Sequence, residues 1–402
     1  MPSSSIISHI FFKVKRKGKI KMKICAIICE YNPFHNGHLY QLREAKRLSG
    51  ADALLCIMSG NFVQRGEAAI MDKFTRAKHA ILAGADVVIE LPTIFATSNA
   101  ELFAKGAVKI LSSIPSVTTL CFGAETANKD VFFKTANFLN DEPQEISSKI
   151  KSLISTGMSY AKARSEAWKS VLPETLLSSP NNILGVEYTR AILSLHSHID
   201  ILPIARVGGG YNEEALYENY SSASAIRLAI SKKESFKNNL PDFVAKDLPT
   251  HLENALETLE KYAILSTKTE KIAEVCDCTE GLENALKKAA EHTEGLVESL
   301  TSARYTSSRI RRIALQNLLN IDETIIRSGL CNPLYLRVLA VKNPAKEVLS
   351  ALSEATYPII ARPRDALNLK DTAKEVFSVD TFAEKVHALL YPKKENNIDI
   401  FI

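Results

Sequence analysis

The stretch ICAIICEYNPFHNGHLY (residues 24–40) decides the fold of this 402-residue chain. Its first six residues form a continuous apolar run, which predicts a strand that is covered on both faces. A short polar turn follows, and apolar residues then recur at three-residue steps from Leu39 to Leu48, before Gly50. This spacing predicts an amphipathic helix that ends at the glycine. A buried strand that passes through a short turn into a helix is the repeating unit of α/β proteins.

The same alternation of strand and helix continues to residue 123. Strands are predicted at Ala53–Met58, Asp86–Glu90 and Val117–Phe122, with Asp72 and Ser98 as caps of the helices between them. Such a series predicts a Rossmann-like parallel sheet with helices on both faces. In these sheets ligands bind beyond the carboxyl ends of the strands.

Later segments complete the predicted organisation. Ile201–Ala205 is predicted to be a fifth strand, and SSASAIR (residues 221–227) opens a helix. After about residue 236 the chain becomes rich in helix signals, and it closes with a small mixed α/β end. We predict three parts: an N-terminal extension (residues 1–21), an α/β domain (22–235) and a mostly helical C-terminal domain (236–402).

His35 and His38 form an H-x-G-H pattern in the turn before the first helix. The free N–H groups and the dipole of a helix start favour anions, and Gly37 allows a phosphate to approach the backbone. Two imidazoles three residues apart can donate to phosphate oxygens and stabilise charge during attack on the α-phosphorus. We predict that both histidines are catalytic in an ATP site; two surface histidines beside a turn are the alternative.

Other polar residues at predicted strand ends have two interpretations each. Gly123 leaves room for adenine or ribose, or is a simple turn glycine. Arg206 and Arg227 bind phosphates, or lie on the surface. Asn181 and Asn182 start a helix, where one is expected to cap it and the other to bind ATP.

Three cations and two carboxylates are weaker candidates. Arg65, Lys73 and Arg76 line the mouth of the pocket, or Lys73 and Arg76 are solvated helix residues. One of Glu30 and Glu125 orients a histidine or contacts ribose.

The histidine motif resembles the first signature of the nucleotidylyltransferase superfamily, and SSASAIR resembles the second. Longer strings (residues 30–40, 59–67, 84–92, 122–125 and 181–188) are similar to the bacterial tRNA(Met) cytidine acetate ligase family. The similarity runs from residue 22 to near the C-terminus, and it implies that residues 22–235 are an ATP-binding catalytic domain and residues 236–402 a tRNA-binding domain. It implies that acetate is activated by ATP to acetyl-adenylate, with release of pyrophosphate. The acetyl group then passes to the wobble cytidine of elongator tRNA(Met), giving N4-acetylcytidine and AMP.

The resemblance and the residues together give one predicted ATP-binding set. Its members are Ile28, Cys29, Glu30, Tyr31, Asn32, Pro33, Phe34, His35, Asn36, Gly37, His38, Leu39, Tyr40, Gln41, Gly123, Asn181, Asn182, Arg206 and Arg227.

The predicted tRNA contacts come from TSARYTSSRIRR (residues 301–312), which lies in a stretch without acidic residues between Glu298 and Asp322. Arginines and hydroxyls suit phosphates, and a tyrosine offers a stacking surface. The predicted contacts are Arg304, Tyr305, Arg309, Arg311 and Arg312. An amphipathic helix with a solvated basic face is the alternative.

Composition sets broader limits. The formal net charge of +5 is compatible with RNA but does not require it. Seven irregularly spaced cysteines do not suggest a disulfide framework, so we expect a cytoplasmic protein. No apolar run is long enough to predict a membrane span. No resident metal is predicted. The sequence does not decide whether Mg²⁺ accompanies ATP, and it does not give the oligomeric state.

Two other functions are compatible with parts of the sequence. A nucleotidylyltransferase acting on a small mononucleotide would need little beyond the first domain, and the long C-terminal region argues against it. A non-catalytic RNA-binding protein would not need the intact histidine motif or Arg227.

Overall fold

The computed structural model describes residues 22–169, 176, 179–206, 220–249, 255–344 and 346–391. The predicted N-terminal extension and the glycines after Arg206 lie outside the described residues. The described strands are β1 (Ile24–Cys29), β2 (Ala53–Ser59), β3 (Phe62–Val63), β4 (Glu67–Ala68), β5 (Val87–Leu91), β6 (Val117–Ala124), β7 (Asp200–Ala205), β8 (Leu336–Val341) and β9 (Ile359–Ile360).

Seven of these strands form one sheet in the order β7-β6-β1-β2-β5-β8-β9. The strands from β7 to β5 are parallel, β8 is antiparallel to β5, and β9 is parallel to β8. The predicted Rossmann-like fold is therefore confirmed, with a sheet that is parallel from β7 to β5 and gains an antiparallel strand, β8, beside β5. β3 and β4 form a separate two-stranded hairpin directly after β2.

The helices of the N-terminal half are α1 (Asn36–Ser49), α2 (Lys73–Leu82), α3 (Thr93–Ala96), α4 (Ala100–Ser112), α5 (Lys129–Asn140), α6 (Gln144–Ser155), α7 (Tyr160–Trp168), α8 (Pro180–Ser194) and α9 (Ala223–Lys232). Those that follow are α10 (Asp242–Ala245), α11 (Leu256–Ser266), α12 (Thr269–Ile272), α13 (Leu282–Ala290), α14 (Leu296–Leu300), α15 (Ser307–Leu318), α16 (Glu323–Cys331), α17 (Lys346–Leu352) and α18 (Asp371–Leu390). Short 3-10 helices cover Lys237–Asn239 and Pro363–Asn368.

Alternating residues of β1 supply two cores. Cys25 and Ile27 pack with α1 and α2 on one face of the sheet. Ile24 and Ala26 point to the other face, where α4 and α8 bury their apolar sides. A third cluster lies among α11, α13 and α15. Burial on both faces explains why β1 is apolar throughout.

The sequence predicts the end of α1 and the cap of α2 correctly, but not the cap of α4. Gly50 ends α1 in the left-handed conformation, and the Asp72 carboxylate accepts from the first turn of α2. The prediction that Ser98 caps α4 is wrong, because Asn99 is the cap. The Ser98 hydroxyl instead donates to the carbonyl oxygen of Ile94, in the preceding short helix, at 2.6 Å.

The C-terminal region contributes to the main sheet. β8 and β9 come from the predicted mixed α/β end, and they extend the sheet beyond β5. The proposed boundary near residue 235 stays a prediction, although strands from both sides of it share one sheet. Among the described residues, no helix combines the length and the apolar character needed to cross a membrane.

Candidate active site

A cleft opens at the carboxyl ends of β1, β6 and β7, as the topology predicts. The turn after β1, the hairpin of β3 and β4, and the starts of α8 and α9 form its walls. His35 and His38 lie on this cleft beside Arg206 and Arg227. The two signature motifs, which are almost 190 residues apart in sequence, thus meet at one site.

The two histidines form the N-terminal cap of α1. His35 is the N-cap residue, and its Nδ1 accepts from the N–H of Gly37 at 3.0 Å. His38 lies three residues later, and its Nδ1 accepts from the N–H of His35 at 3.3 Å. This reciprocal arrangement is a capping box in which imidazoles replace the usual hydroxyl and carboxylate. The three-residue spacing therefore has a structural cause as well as a chemical one.

The cap determines which nitrogen carries the proton. Each Nδ1 accepts a backbone hydrogen bond, so the neutral ring must be protonated at Nε2. The rings stack with their centroids 3.6 Å apart, and each ring keeps an Nε2–H as its donor. Two parallel N–H donors beside free helix N–H groups suit the oxygens of a phosphate.

Burial keeps both imidazoles neutral. Desolvation, together with the charge of Arg206, lowers the pKa of His35 from 6.5 to about 3. Desolvation, His35 and Arg206 also place the pKa of His38 well below its usual range. Donation from Nε2 does not need the imidazolium form, so the pair can bind a phosphate at neutral pH.

Gly37 is needed for this cap. A Cβ at this position would lie 2.9 Å from Cε1 of His35, which is closer than real Cβ contacts. The glycine therefore leaves room for the imidazole ring, in addition to the close approach to phosphate that the sequence predicts.

Two arginines approach the histidines from different elements. Arg206 follows β7, and its backbone N–H donates to the carbonyl oxygen of Ala124. Arg227 lies on α9, where NH1 donates to the carbonyl oxygen of Asn32 at 2.7 Å and NH2 contacts Glu67 at 3.1 Å. Asn32 also lines the cleft, and its buried Nδ2 has no acceptor among the described residues. The site is thus rich in donors for an anionic ligand.

Much of the predicted ATP-binding set lies on this cleft or its side pocket. The cleft is lined by Ile28, Cys29, Glu30, Tyr31, Asn32, His35, His38, Gln41, Gly123, Asn181, Arg206 and Arg227. Gly37 and Tyr40 line the adjoining side pocket. Pro33, Phe34, Asn36, Leu39 and Asn182 line neither space. Phe34 packs against the ring of His38, and Asn36 donates to the carbonyl oxygen of Asn238.

The structure separates the two asparagines at the start of α8. Asn181 lines the cleft, and its Nδ2 donates to Glu125 at 2.7 Å. Asn182 is fully buried, and its Oδ1 accepts from the N–H groups of Glu125 and Thr126. Neither is the cap of the helix, which is Ser179. Asn181 therefore faces the cleft, whereas Asn182 holds the chain that follows β6.

The two candidate carboxylates play no part in orienting the histidines. Glu30 accepts from the N–H of Gln64 at 2.8 Å, and burial raises its pKa. The carboxylate of Glu125 accepts from Nδ2 of Asn181 and from the backbone N–H of Asn182.

The prediction that Lys73 and Arg76 line the mouth of the pocket is wrong, and they are not solvated either. Both side chains are buried. Lys73 pairs with Glu90 at 2.8 Å. Arg76 donates to carbonyl oxygens at the ends of β1 and β2, including those of Glu30 and Ser59. Both side chains therefore stabilise the carboxyl ends of the strands from inside the protein. Arg65 does line the cleft, as predicted.

Several cleft residues are absent from the sequence prediction. Phe103, Phe122, Leu184 and Tyr188 supply an apolar wall, and the hairpin supplies Gln64 and Glu67. Glu67 and Tyr188 both lie within strings that carry the family resemblance, which was the available signal. Apolar lining residues cannot be told from core residues by sequence pattern alone.

The arginine segment (residues 301–312) runs into the first turns of α15, and the loop of residues 277–280 faces it. Arg309 donates to the carbonyl oxygen of Asp277, the hydroxyl of Thr279 and the carboxylate of Glu280, and Arg304 pairs with Glu280. The guanidinium groups of both arginines lie near the ring of Tyr305, whose hydroxyl donates to the backbone carbonyl oxygen of Glu280. Its ring is thus already in contact with cations.

Arg311 and Arg312 also have acidic neighbours. Arg311 pairs with Glu67 at 3.6 Å, and a carboxylate oxygen of Asp277 lies 3.9 Å from Arg312. The segment is a partly neutralised cationic surface rather than a row of free arginines.

A mostly parallel sheet whose carboxyl edge carries a histidine-capped helix defines the HIGH type of nucleotidyl transferase. The chain belongs to the HIGH Nucleotidyl Transferase family, whose model matches residues 22–399. It is 36% identical to a tRNA(Met) cytidine acetate ligase of Acetivibrio thermocellus over 92% of this chain and 95% of the relative. A relative of the same name in Thermoanaerobacter pseudethanolicus is 39% identical over 92% of this chain and 96% of its own.

Two solved structures of a single protein are also similar to this chain. The crystal structure of Thermotoga maritima TmcAL in an apo form has a TM-score of 0.86 to this chain at 31% identity, covering 92% of this chain and 96% of that one. A second structure of that protein, bound with alpha-thio ATP, has a TM-score of 0.83 at 31% identity, covering 92% and 95%.

Proposed function

We propose that this protein is an ATP-dependent ligase that acetylates the wobble cytidine of elongator tRNA(Met) to N4-acetylcytidine. The first step forms acetyl-adenylate and releases pyrophosphate, and the second releases AMP. The observation that carries the nucleotide part is the capping box of His35 and His38, which occupies Nδ1 of both rings and leaves Nε2 as the donor of two side chains that line the cleft. The curated relatives, which match along almost the whole chain, support acetate and tRNA(Met) as the substrates.

In the first step, an oxygen of acetate attacks the α-phosphorus of ATP. The bond to the bridging oxygen breaks, and pyrophosphate leaves. His35 and His38 donate to phosphate oxygens, and Arg206 and Arg227 compensate the charge of the triphosphate. Because these donors are already oriented by the cap and by backbone contacts, little reorganisation is needed when charge develops.

In the second step, the exocyclic amine of cytidine attacks the carbonyl carbon of the mixed anhydride. A carbon–nitrogen bond forms, the carbon–oxygen bond to the phosphate breaks, and the amine loses a proton. Both reactants are held in one cleft, so positioning supplies much of the acceleration. No covalent intermediate with the enzyme is required.

The predicted tRNA contacts remain part of this proposal. Arg304, Arg309, Arg311 and Arg312 lie on one surface near the hairpin that borders the cleft. RNA phosphates would replace or share the acidic partners of these arginines. Such exchange weakens with salt, as phosphate contacts do.

Two further expectations accompany the proposal. All seven cysteines are free, which fits a reducing cytoplasm. The described residues contain no group of three His, Cys, Asp or Glu side chains that could hold a metal ion, so no protein site for Mg²⁺ is assigned.

The products of ATP test the proposal. Acetate-dependent release of AMP and pyrophosphate is expected, and His35→Ala should slow it by about 100- to 1,000-fold. His198→Ala removes an exposed histidine far along the sequence from the motif, and it should leave the rate unchanged. Transfer of AMP to a mononucleotide would instead identify a small-molecule nucleotidylyltransferase, and absence of ATP turnover would indicate a binding protein.

A further inference from the structure

The hairpin of β3 and β4 connects the cleft to the arginine segment. Four of its residues (Val63, Gln64, Arg65 and Glu67) line the cleft. On its other side, Gly66 adopts a left-handed φ of 73° and packs on the backbone of α15. A Cβ there would lie 2.5 Å from the backbone nitrogen of Arg312, so the contact is close.

Glu67 is shared between the two sides of the hairpin. Its Oε2 lies 3.1 Å from NH2 of Arg227, which belongs to the cleft. Its Oε1 lies 3.6 Å from NH1 of Arg311, which belongs to the arginine segment. One carboxylate therefore serves as counterion for two arginines on elements distant in sequence. All three side chains are only partly exposed, so their charges are less screened than those of surface pairs.

We propose that Glu67 is a positioning residue that couples phosphate occupancy of the cleft to the availability of Arg311. The inference rests on the proposed function, because it takes ATP as the ligand of the cleft and RNA as the ligand of the arginine segment. A triphosphate that engages Arg227 draws it away from Glu67. The carboxylate then pairs with Arg311 alone and holds that arginine more firmly.

The coupling orders the two reaction steps. With ATP bound, Arg311 is engaged by Glu67 and contributes less to RNA binding. When pyrophosphate leaves, Arg227 returns to Glu67, and Arg311 becomes available to an RNA phosphate. RNA thus binds more tightly to the enzyme that already carries the acetyl-adenylate. Because linkage is reciprocal, RNA at Arg311 also weakens binding of the triphosphate.

A double-mutant cycle on nucleotide affinity tests this role. The probe is α,β-methylene ATP, whose dissociation constant is measured by calorimetry with the full chain at 150 mM salt. Arg311→Gln leaves Glu67 to Arg227 alone, so binding should weaken about threefold, which is a usual coupling for charges in contact. In the Glu67→Gln background, Arg311→Gln should change the affinity by less than about 1.3-fold, since its route to the cleft is gone.

Arg327→Gln provides the matched control. It removes the same charge from an arginine that pairs with Glu323 rather than with Glu67. Its effect on nucleotide affinity should be absent in both backgrounds. An equal effect of Arg311→Gln with and without Glu67, or no effect in the wild-type background, would overturn the inference.

A second measurement gives the RNA side of the linkage. Saturating α,β-methylene ATP should weaken binding of a tRNA(Met) transcript to wild type about threefold, and it should have a smaller effect on Glu67→Gln. Equal weakening in both proteins would contradict the coupling. Failure of wild type to bind the ATP analogue at all would instead contradict the proposed function, so the two failures are distinguishable.

Discussion

Replacing His35 with either asparagine or alanine separates the two roles of this residue. Nδ1 of His35 caps α1 by accepting from the N–H of Gly37 at 3.0 Å. Asparagine is among the best N-cap residues, whereas alanine costs about 1 kcal/mol at that position. We therefore expect His35→Asn to keep the free energy of unfolding within about 0.5 kcal/mol of wild type, and His35→Ala to lose about 1 kcal/mol.

Both substitutions remove the Nε2–H donor. Loss of one preorganised donor to a developing charge typically costs about 100- to 1,000-fold in rate. Acetate-dependent pyrophosphate release should fall by that factor in both variants, while only His35→Ala shifts the urea midpoint. Activity of His35→Asn within threefold of wild type would refute the assigned role of Nε2. Equal stability of the two variants would refute the cap.

Three further predictions concern the buried histidine, the buried Lys73 ion pair and the two asparagines of α8. Since burial lowers the pKa of His35 from 6.5 to about 3, the unfolded chain binds a proton below pH 6.5 that the folded protein does not. Wild type should therefore lose free energy of unfolding as the pH falls from 6.5 to 5. In urea unfolding, His35→Asn should lose about 1.5 kcal/mol less of it over the same range. Lys73→Met leaves Glu90 with one fewer cation and should destabilise by about 3 kcal/mol, seen in the same assay. Asn181→Ala should weaken nucleotide binding with little change in melting temperature. Asn182→Ala should lower the melting temperature, because Asn182 is fully buried and accepts from two partly buried backbone N–H groups. A reversed result for the two asparagines would contradict the site geometry.

The sheet could be predicted from sequence because its strands are buried on both faces. The apolar runs of β1, β2 and β6 have no other stable arrangement within a strand–helix alternation. The position of the site followed from the same topology, since the polar residues cluster where the strands end. The partner of β5 could not be predicted. Leu336–Val341 reads as a strand, but periodicity does not say which sheet it joins or in which direction.

Charged residues were the least predictable part. Lys73 and Arg76 lie on a helix at positions that sequence alone assigns to the pocket mouth or to solvent, yet both are buried. Their burial depends on Glu90 and on the free carbonyl oxygens of strand ends, which are brought near only by the tertiary fold. Glu67 is a similar case, because its two arginine partners lie more than 150 residues away in sequence.

The histidine motif has a structural role that its sequence does not reveal. Its sequence context indicates phosphate chemistry. The structure adds that His35 and His38 cap the helix through Nδ1, which leaves Nε2 of both rings as donors.

The most direct test of the central claim is the fate of labelled acetate. The protein is incubated with ATP, ¹⁴C-acetate and total tRNA, and the RNA is digested and separated by chromatography with mass detection. We expect label to appear in N4-acetylcytidine from tRNA(Met) with wild type, and at a level lower by about 100- to 1,000-fold with His35→Ala. Label that never enters RNA, with wild type and His35→Ala behaving alike, would contradict it.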